Sequence, residues 1–144
     1  MRITSLNNII RIKELKREEI SVQVRNIQKL IEEHERKILE LEDEFIKNLE
    51  EFNKKRFGSA FTAEALRMHH NYVEHITRKM NEHKRVLMER VRELKETLSR
   101  LEEAHKEEKL VKKLLTRQNE KAIKEERLRE QKQLDDISIK RYLR

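Results

Sequence analysis

The sequence predicts an all-α fold: two long helices in an antiparallel coiled-coil hairpin, the second helix longer and overhanging the first. Three observations lead there. The 144 residues contain one glycine and no proline, so a strong helix-breaking signal occurs at a single place. Apolar residues make up 35% of the chain and charged residues 44%. That is too little apolar surface for a globular core, but it suits a seam that needs two apolar positions in seven. Finally, apolar residues on both sides of the glycine recur at alternating spacings of three and four.

The first helix is expected over about 5–56, with Thr4 or Ser5 as its cap. Ile3, Leu6 and Ile10 open the apolar pattern, which lapses at Lys13 and Arg17. It resumes as Ile20, Val24, Ile27, Ile31, Ile38, Leu41, Phe45 and Phe52. His34 and Asn48 are the polar exceptions in that run, and a polar residue in such a seam fixes register at some cost in stability. Lys54, Lys55 and Arg56 put cations in the last turn, and Gly58 is expected to end the helix in the left-handed conformation.

A turn over about 57–62 leads to a second helix over about 63–142, so that residues 1–144 form one coiled-coil domain. Thr62 is the expected cap, Glu64 places an anion in the first turn, and Phe61 is expected to staple onto Leu66. Leu66, His69, Val73, Ile76, Met80, His83 and Leu87 carry the seam. Val91, Leu94, Leu98 and Leu101 continue it one residue out of phase, which predicts a stutter.

Folding about Gly58–Thr62 pairs residues whose numbers sum to about 121. Phe45 then meets Ile76, Leu41 meets Met80, Ile27 meets Leu94, Ile20 meets Leu101, Ile10 meets Val111 and Leu6 meets Leu115, while Lys13 faces Glu108. Partners run out near Gln118, leaving roughly 26 residues, about 39 Å of helix, beside nothing. This overhang holds the charge run from Lys124 to Lys132 and a sparse set of apolar residues. It reads either as a solvated helix held by i,i+4 ion pairs or as a helix that docks into a partner.

Net charge is +7, and its placement is informative. Residues 1–20 carry five basic and three acidic side chains and residues 105–144 carry thirteen and eight, which accounts for the whole excess. A hairpin collects both segments at its terminal tip. There is no cysteine, hence no disulfide or thiolate chemistry, and no apolar run long enough for a membrane span or signal peptide, so a cytoplasmic protein is expected. The cluster His69, His70, Asn71, Tyr72, Val73, Glu74, His75 lacks the paired-histidine spacing of a helical zinc site, and no cofactor or metal is expected. Glutamate pairs such as Glu32–Glu33 have no enclosed apolar site to raise a pKa, so no catalytic group is expected and the protein is read as a non-enzyme. Acids interleave with the bases almost everywhere, which argues against a phosphate-binding helix.

Late in the chain, Glu130, Gln131, Lys132, Gln133, Leu134, Asp135, Asp136 resembles the C-terminal E-Q-K-x-x-D-E signature of the FliJ family, with aspartate in the last place. Asn71-Tyr72-Val73, Glu82-His83-Lys84 and Glu107-Glu108-Lys109-Leu110 are also similar, and the likeness extends over nearly the whole chain in length, layout and turn position. The resemblance implies the soluble stalk of the flagellar type III export apparatus. Its terminal end would insert in the ring of the export ATPase hexamer and promote its assembly and activity. A face nearer the turn would engage the transmembrane export gate, at the cytoplasmic face of the inner membrane, and export chaperones are further implied partners. Matched by position, the gate-facing group is Ile38, Phe45, Leu49, Tyr72, Ile76 and His83, with Lys79 where the family can carry a small residue. Arg127, Arg129, Lys132, Asp135 and Asp136 are the expected contacts with the ATPase ring. The equivalent stalk of a virulence-type secretion system is the close alternative, and a nucleic-acid-binding coiled coil a more distant one.

Overall fold

A computed structural model describes residues 2–58 and 61–143. It contains two helices, α1 (Ile3–Arg56, 54 residues) and α2 (Ala63–Tyr142, 80 residues), packed against each other as an antiparallel hairpin. Ser59 and Ala60, within the expected turn, lie outside the described residues.

The helix ends follow local chemistry, with three departures from expectation. α1 begins at Ile3 and the Leu6 amide already donates to the Arg2 carbonyl at 3.0 Å. Thr4 and Ser5 therefore sit inside the first turn and do not cap it. Gly58 does not adopt a positive φ. Its amide donates to the Lys55 carbonyl at 3.0 Å, closing the helix with a tightened last turn, and a Cβ at this position would stand 3.3 Å from that oxygen. Thr62 caps α2 as expected, accepting the Ala65 amide on Oγ1 at 3.1 Å. Phe61, however, turns to the Phe52 ring, 5.7 Å away and edge-on, and Leu66 stays 50% exposed. An aromatic partner across the hairpin outcompetes the staple.

The contacts divide into two compact units, Ser21–Ser99 and Met1–Ile20 with Arg100–Arg144. In the first, the turn unit, α1 buries Val24, Ile27 and Ile38, and half-buries Ile31, His34, Leu41, Phe45, Asn48 and Phe52. From α2, Ile76 and Thr97 are buried, while His69, Val73, Met80, His83, Leu87, Arg90 and Leu94 are half-buried. Spacings of four and three alternate from His69 to Thr97 without a break, so the expected stutter is absent. Arg90 and Thr97 occupy the seam, and Val91 and Leu98 are exposed beside it. Two properties let polar residues hold those places. The stem of an arginine packs like an aliphatic chain, and the Thr97 hydroxyl donates to the Glu93 carbonyl at 2.8 Å.

In the second, the terminal unit, Leu6, Ile10 and Ile20 of α1 and Ala104 and Glu108 of α2 are buried. Lys13 and Arg17, where the apolar pattern lapses, remain half-buried at seam positions. The seam keeps its geometry there and changes its chemistry. On α2, Val111, Leu115 and Gln118 are the last half-buried residues.

Candidate interaction surfaces

In the turn unit the polar seam residues find one another. His34 and His83 approach Nδ1 to Nδ1 at 3.1 Å, with ring centroids 5.3 Å apart. One ring must donate and the other accept, so the contact requires at least one neutral imidazole. Burial, then the neighbouring His83, Lys37 and Arg90, hold the His34 pKa below the ordinary imidazole value. One step nearer the turn, His69 donates from Nδ1 to Asn48 Oδ1 at 3.1 Å and stacks on Phe52 at 3.8 Å, nearly parallel. Tyr72 donates its hydroxyl to Glu44 at 2.9 Å, and burial followed by that bond raises the phenol pKa. Asn48, Phe52, Phe61, Met68, His69 and Tyr72 line most of an open groove of about 340 Å³ between the helices.

The structure thus separates the six residues matched to a gate-facing group. Ile38 and Ile76 are core, at 8% and 2% exposure. Phe45 and His83 are half-buried in the seam. Leu49 is exposed, and half-buried Tyr72 borders the open groove. Lys79 is exposed.

In the terminal unit a charged layer replaces the apolar seam. Lys13 donates to Glu107 at 2.9 Å, with Lys16 at 3.7 Å from the same oxygen. Arg17 Nε lies 2.7 Å from buried Glu108, which also accepts Lys112 at 2.8 Å, and Lys112 reaches Glu14 at 3.6 Å. The Arg17 contact is an ion pair without hydrogen-bond alignment, since neither Arg17 Nε nor Glu108 Oε2 has a hydrogen-bond partner. Lys112, then Arg17, hold the Glu108 pKa down against the opposing effect of burial, and Lys13 does the same for Glu107. Pairing by sequence sum placed Lys13 opposite Glu108. Lys13 instead meets Glu107, one residue away on α2, and Glu108 meets Arg17, one helical turn further along α1. Glu14, Lys16 and Lys112 were not anticipated, because long side chains reach across neighbouring turns that a one-to-one pairing ignores.

Past Gln118, every described residue to Leu143 is exposed while the chain stays helical to Tyr142. Arg127, Arg129, Lys132, Asp135 and Asp136 all stand on this extension, and none forms an ion pair among the described residues. Ile123, Leu128, Leu134 and Ile137 are more than half exposed. Among the described residues no i,i+4 ion pair forms on this segment, although opposite charges stand at that spacing, as in Lys121 and Glu125 or Lys132 and Asp136.

Among the described residues no helix is long and apolar enough to cross a membrane, and no three metal-ligating side chains gather. The described residues thus form a helical hairpin with a charged seam layer, an aromatic groove near its turn and an exposed helical extension. The family model described as Flagellar FliJ protein matches residues 1–144, and the chain belongs to that family. No curated protein and no solved structure matches it. The family places the chain in flagellar protein export, as a non-catalytic component.

Proposed function

We propose that the protein works as a single coiled-coil domain, a stalk whose terminal end inserts in the ring of the flagellar export ATPase, promotes its assembly and activity, and links it to the transmembrane export gate. The observation that carries this reading is the α2 extension from Asn119, helical to Tyr142 and exposed to Leu143, whose charges form no ion pair among the described residues. A helix that orders apolar and charged side chains with no intramolecular contact is supported by a partner that covers it. Arg127, Arg129, Lys132, Asp135 and Asp136 are the proposed ring contacts. The proposed gate contact is the face carrying Leu49 and Tyr72. Phe45 and His83 border it from the seam, and Ile38 and Ile76 act from the core by holding the two helices together beneath it. Such a role sets the protein in the cytoplasm, at the inner face of the inner membrane, with export chaperones as further partners.

Hydrolysis rate and sedimentation of the cognate export ATPase, with and without the protein at two salt concentrations, test this function. The expected result is a larger assembly and a faster rate, both lost when the chain is cut after Gln118. An unchanged rate and unchanged sedimentation at low salt would remove the ATPase as the main partner.

A further inference from the structure

The turn unit leaves a second stripe on α2 uncovered. Lys84, Met88, Val91, Lys95 and Leu98 alternate by four and three, the spacing of a coiled-coil contact line, yet they lie beside the α1 seam and not in it. Met88 is 65% exposed, and Val91 and Leu98 are exposed with it. Leu87, Met88, Val91, Arg92 and Lys95 line a shallow depression there of about 290 Å³. Together with the seam residues Leu87 and Leu94, these apolar side chains make α2 apolar over a wider arc than contact with one helix uses. That width is typical of a helix packed between two others.

We propose that this stripe docks an acidic amphipathic helix of another protein. Charge decides the occupant. Lys84, Arg92 and Lys95 share the stripe and its margin, and none pairs with a carboxylate among the described residues. The neighbouring Arg85 and Arg90 are already held by Glu82, Glu89 and Glu93. A second copy of this chain meeting the stripe face to face would set these cations against their equals. A helix with leucines on one line and glutamates flanking it satisfies both the apolar and the cationic positions. The proposal stands independently of the stalk reading, which concerns the other unit's extension and the face near the turn.

The test uses the full chain and a fluorescent synthetic helix of about three heptads, with leucine at the two seam positions and glutamate at the flanking ones. A second peptide carries lysine in place of each glutamate. Anisotropy should show the glutamate peptide binding and the lysine peptide not. Replacing Val91 and Leu98 together by serine should weaken binding by about tenfold or more. Both side chains are exposed, so helicity should be unchanged, and circular dichroism checks it. The proposal is overturned if neither peptide binds, if both bind alike, or if the serine pair has no effect. It is equally overturned if sedimentation of the chain alone shows a dimer that the serine pair dissolves, because the stripe would then belong to a second copy.

Discussion

Glu108→Ala is expected to destabilise the protein by about 2 kcal/mol, whereas Glu107→Ala, one residue away, should leave the unfolding midpoint unchanged. The two glutamates differ in burial. The Glu108 side chain is 6% exposed and meets Arg17 at 2.7 Å and Lys112 at 2.8 Å, while the Glu107 side chain is 43% exposed to water. Removing one member of a fully buried pair costs roughly 3–5 kcal/mol because the other charge is stranded. Arg17 keeps 31% exposure, so water recovers part of what the carboxylate supplied and the cost falls toward the lower value. Urea denaturation followed by ellipticity at neutral pH measures both variants, provided the slope against urea is unchanged. The pH dependence gives a second check. A carboxyl held below its ordinary value of 4.5 contributes stability that is complete above that value and is lost as pH falls through its folded value. Glu108→Ala should therefore flatten the acid limb of the stability curve. Equal losses in the two alanine variants, or no loss in either, would refute the distinction drawn from burial.

His34 should make the turn unit pH-sensitive in the opposite chemical sense. Its folded pKa is lowered from 6.5, so as pH falls below that value the unfolded chain takes up a proton that the folded chain resists, and stability declines. His34→Leu should remove this decline between pH 7 and the carboxylate range, as read from thermal midpoints at stepped pH, and an unchanged slope would count against it. Gly58→Ala should be nearly neutral. With no positive φ, the methyl asks only that the Lys55 carbonyl 3.3 Å away yield slightly, and the gain of about 0.4–1 kcal/mol from a stiffer unfolded chain offsets it. A loss beyond about 1 kcal/mol would mean that Gly58 is left-handed after all.

The hairpin was legible because its signals are local and redundant. One glycine, a terminal run of three cations and a Thr62 cap bracket the turn, and the spacing of α1 apolar residues is long enough to identify its phase. The departures have a common cause. Reading Val91 and Leu98 into the seam treats apolar character as the measure of burial, yet the neighbouring Arg90 packs its aliphatic stem there with one end of its guanidinium held by Glu93, Thr97 satisfies its hydroxyl on the Glu93 carbonyl, and both keep the phase set by Leu87 and Leu94. The same limit explains the site residues. Matching by family position cannot separate Ile38 and Ile76, which face the partner helix, from Leu49, one helix face away, since all three are apolar. The role of the α2 extension is unreadable in a more basic sense, because its residues are exposed and pair with no other described residue, so no contact within the chain constrains them.

The polar seam residues have a further consequence for how the hairpin is specified. Apolar seams tolerate sliding by a whole heptad, since leucine and isoleucine replace one another at modest cost. Here sliding is penalised in each unit by its own polar pair. A shift of seven residues in the terminal unit would carry buried Glu108 from the neighbourhood of Lys13 and Arg17 to that of Leu6 or Ile20, stranding a carboxylate among aliphatic side chains. In the turn unit the same slip would separate His34 from His83 and Asn48 from His69, leaving half-buried hydrogen-bonding groups without partners. The antiparallel register is therefore set less by the apolar residues that stabilise the seam than by those polar ones, His34 with His83, Asn48 with His69 and Arg17 with Glu108, whose partners stand on the other helix.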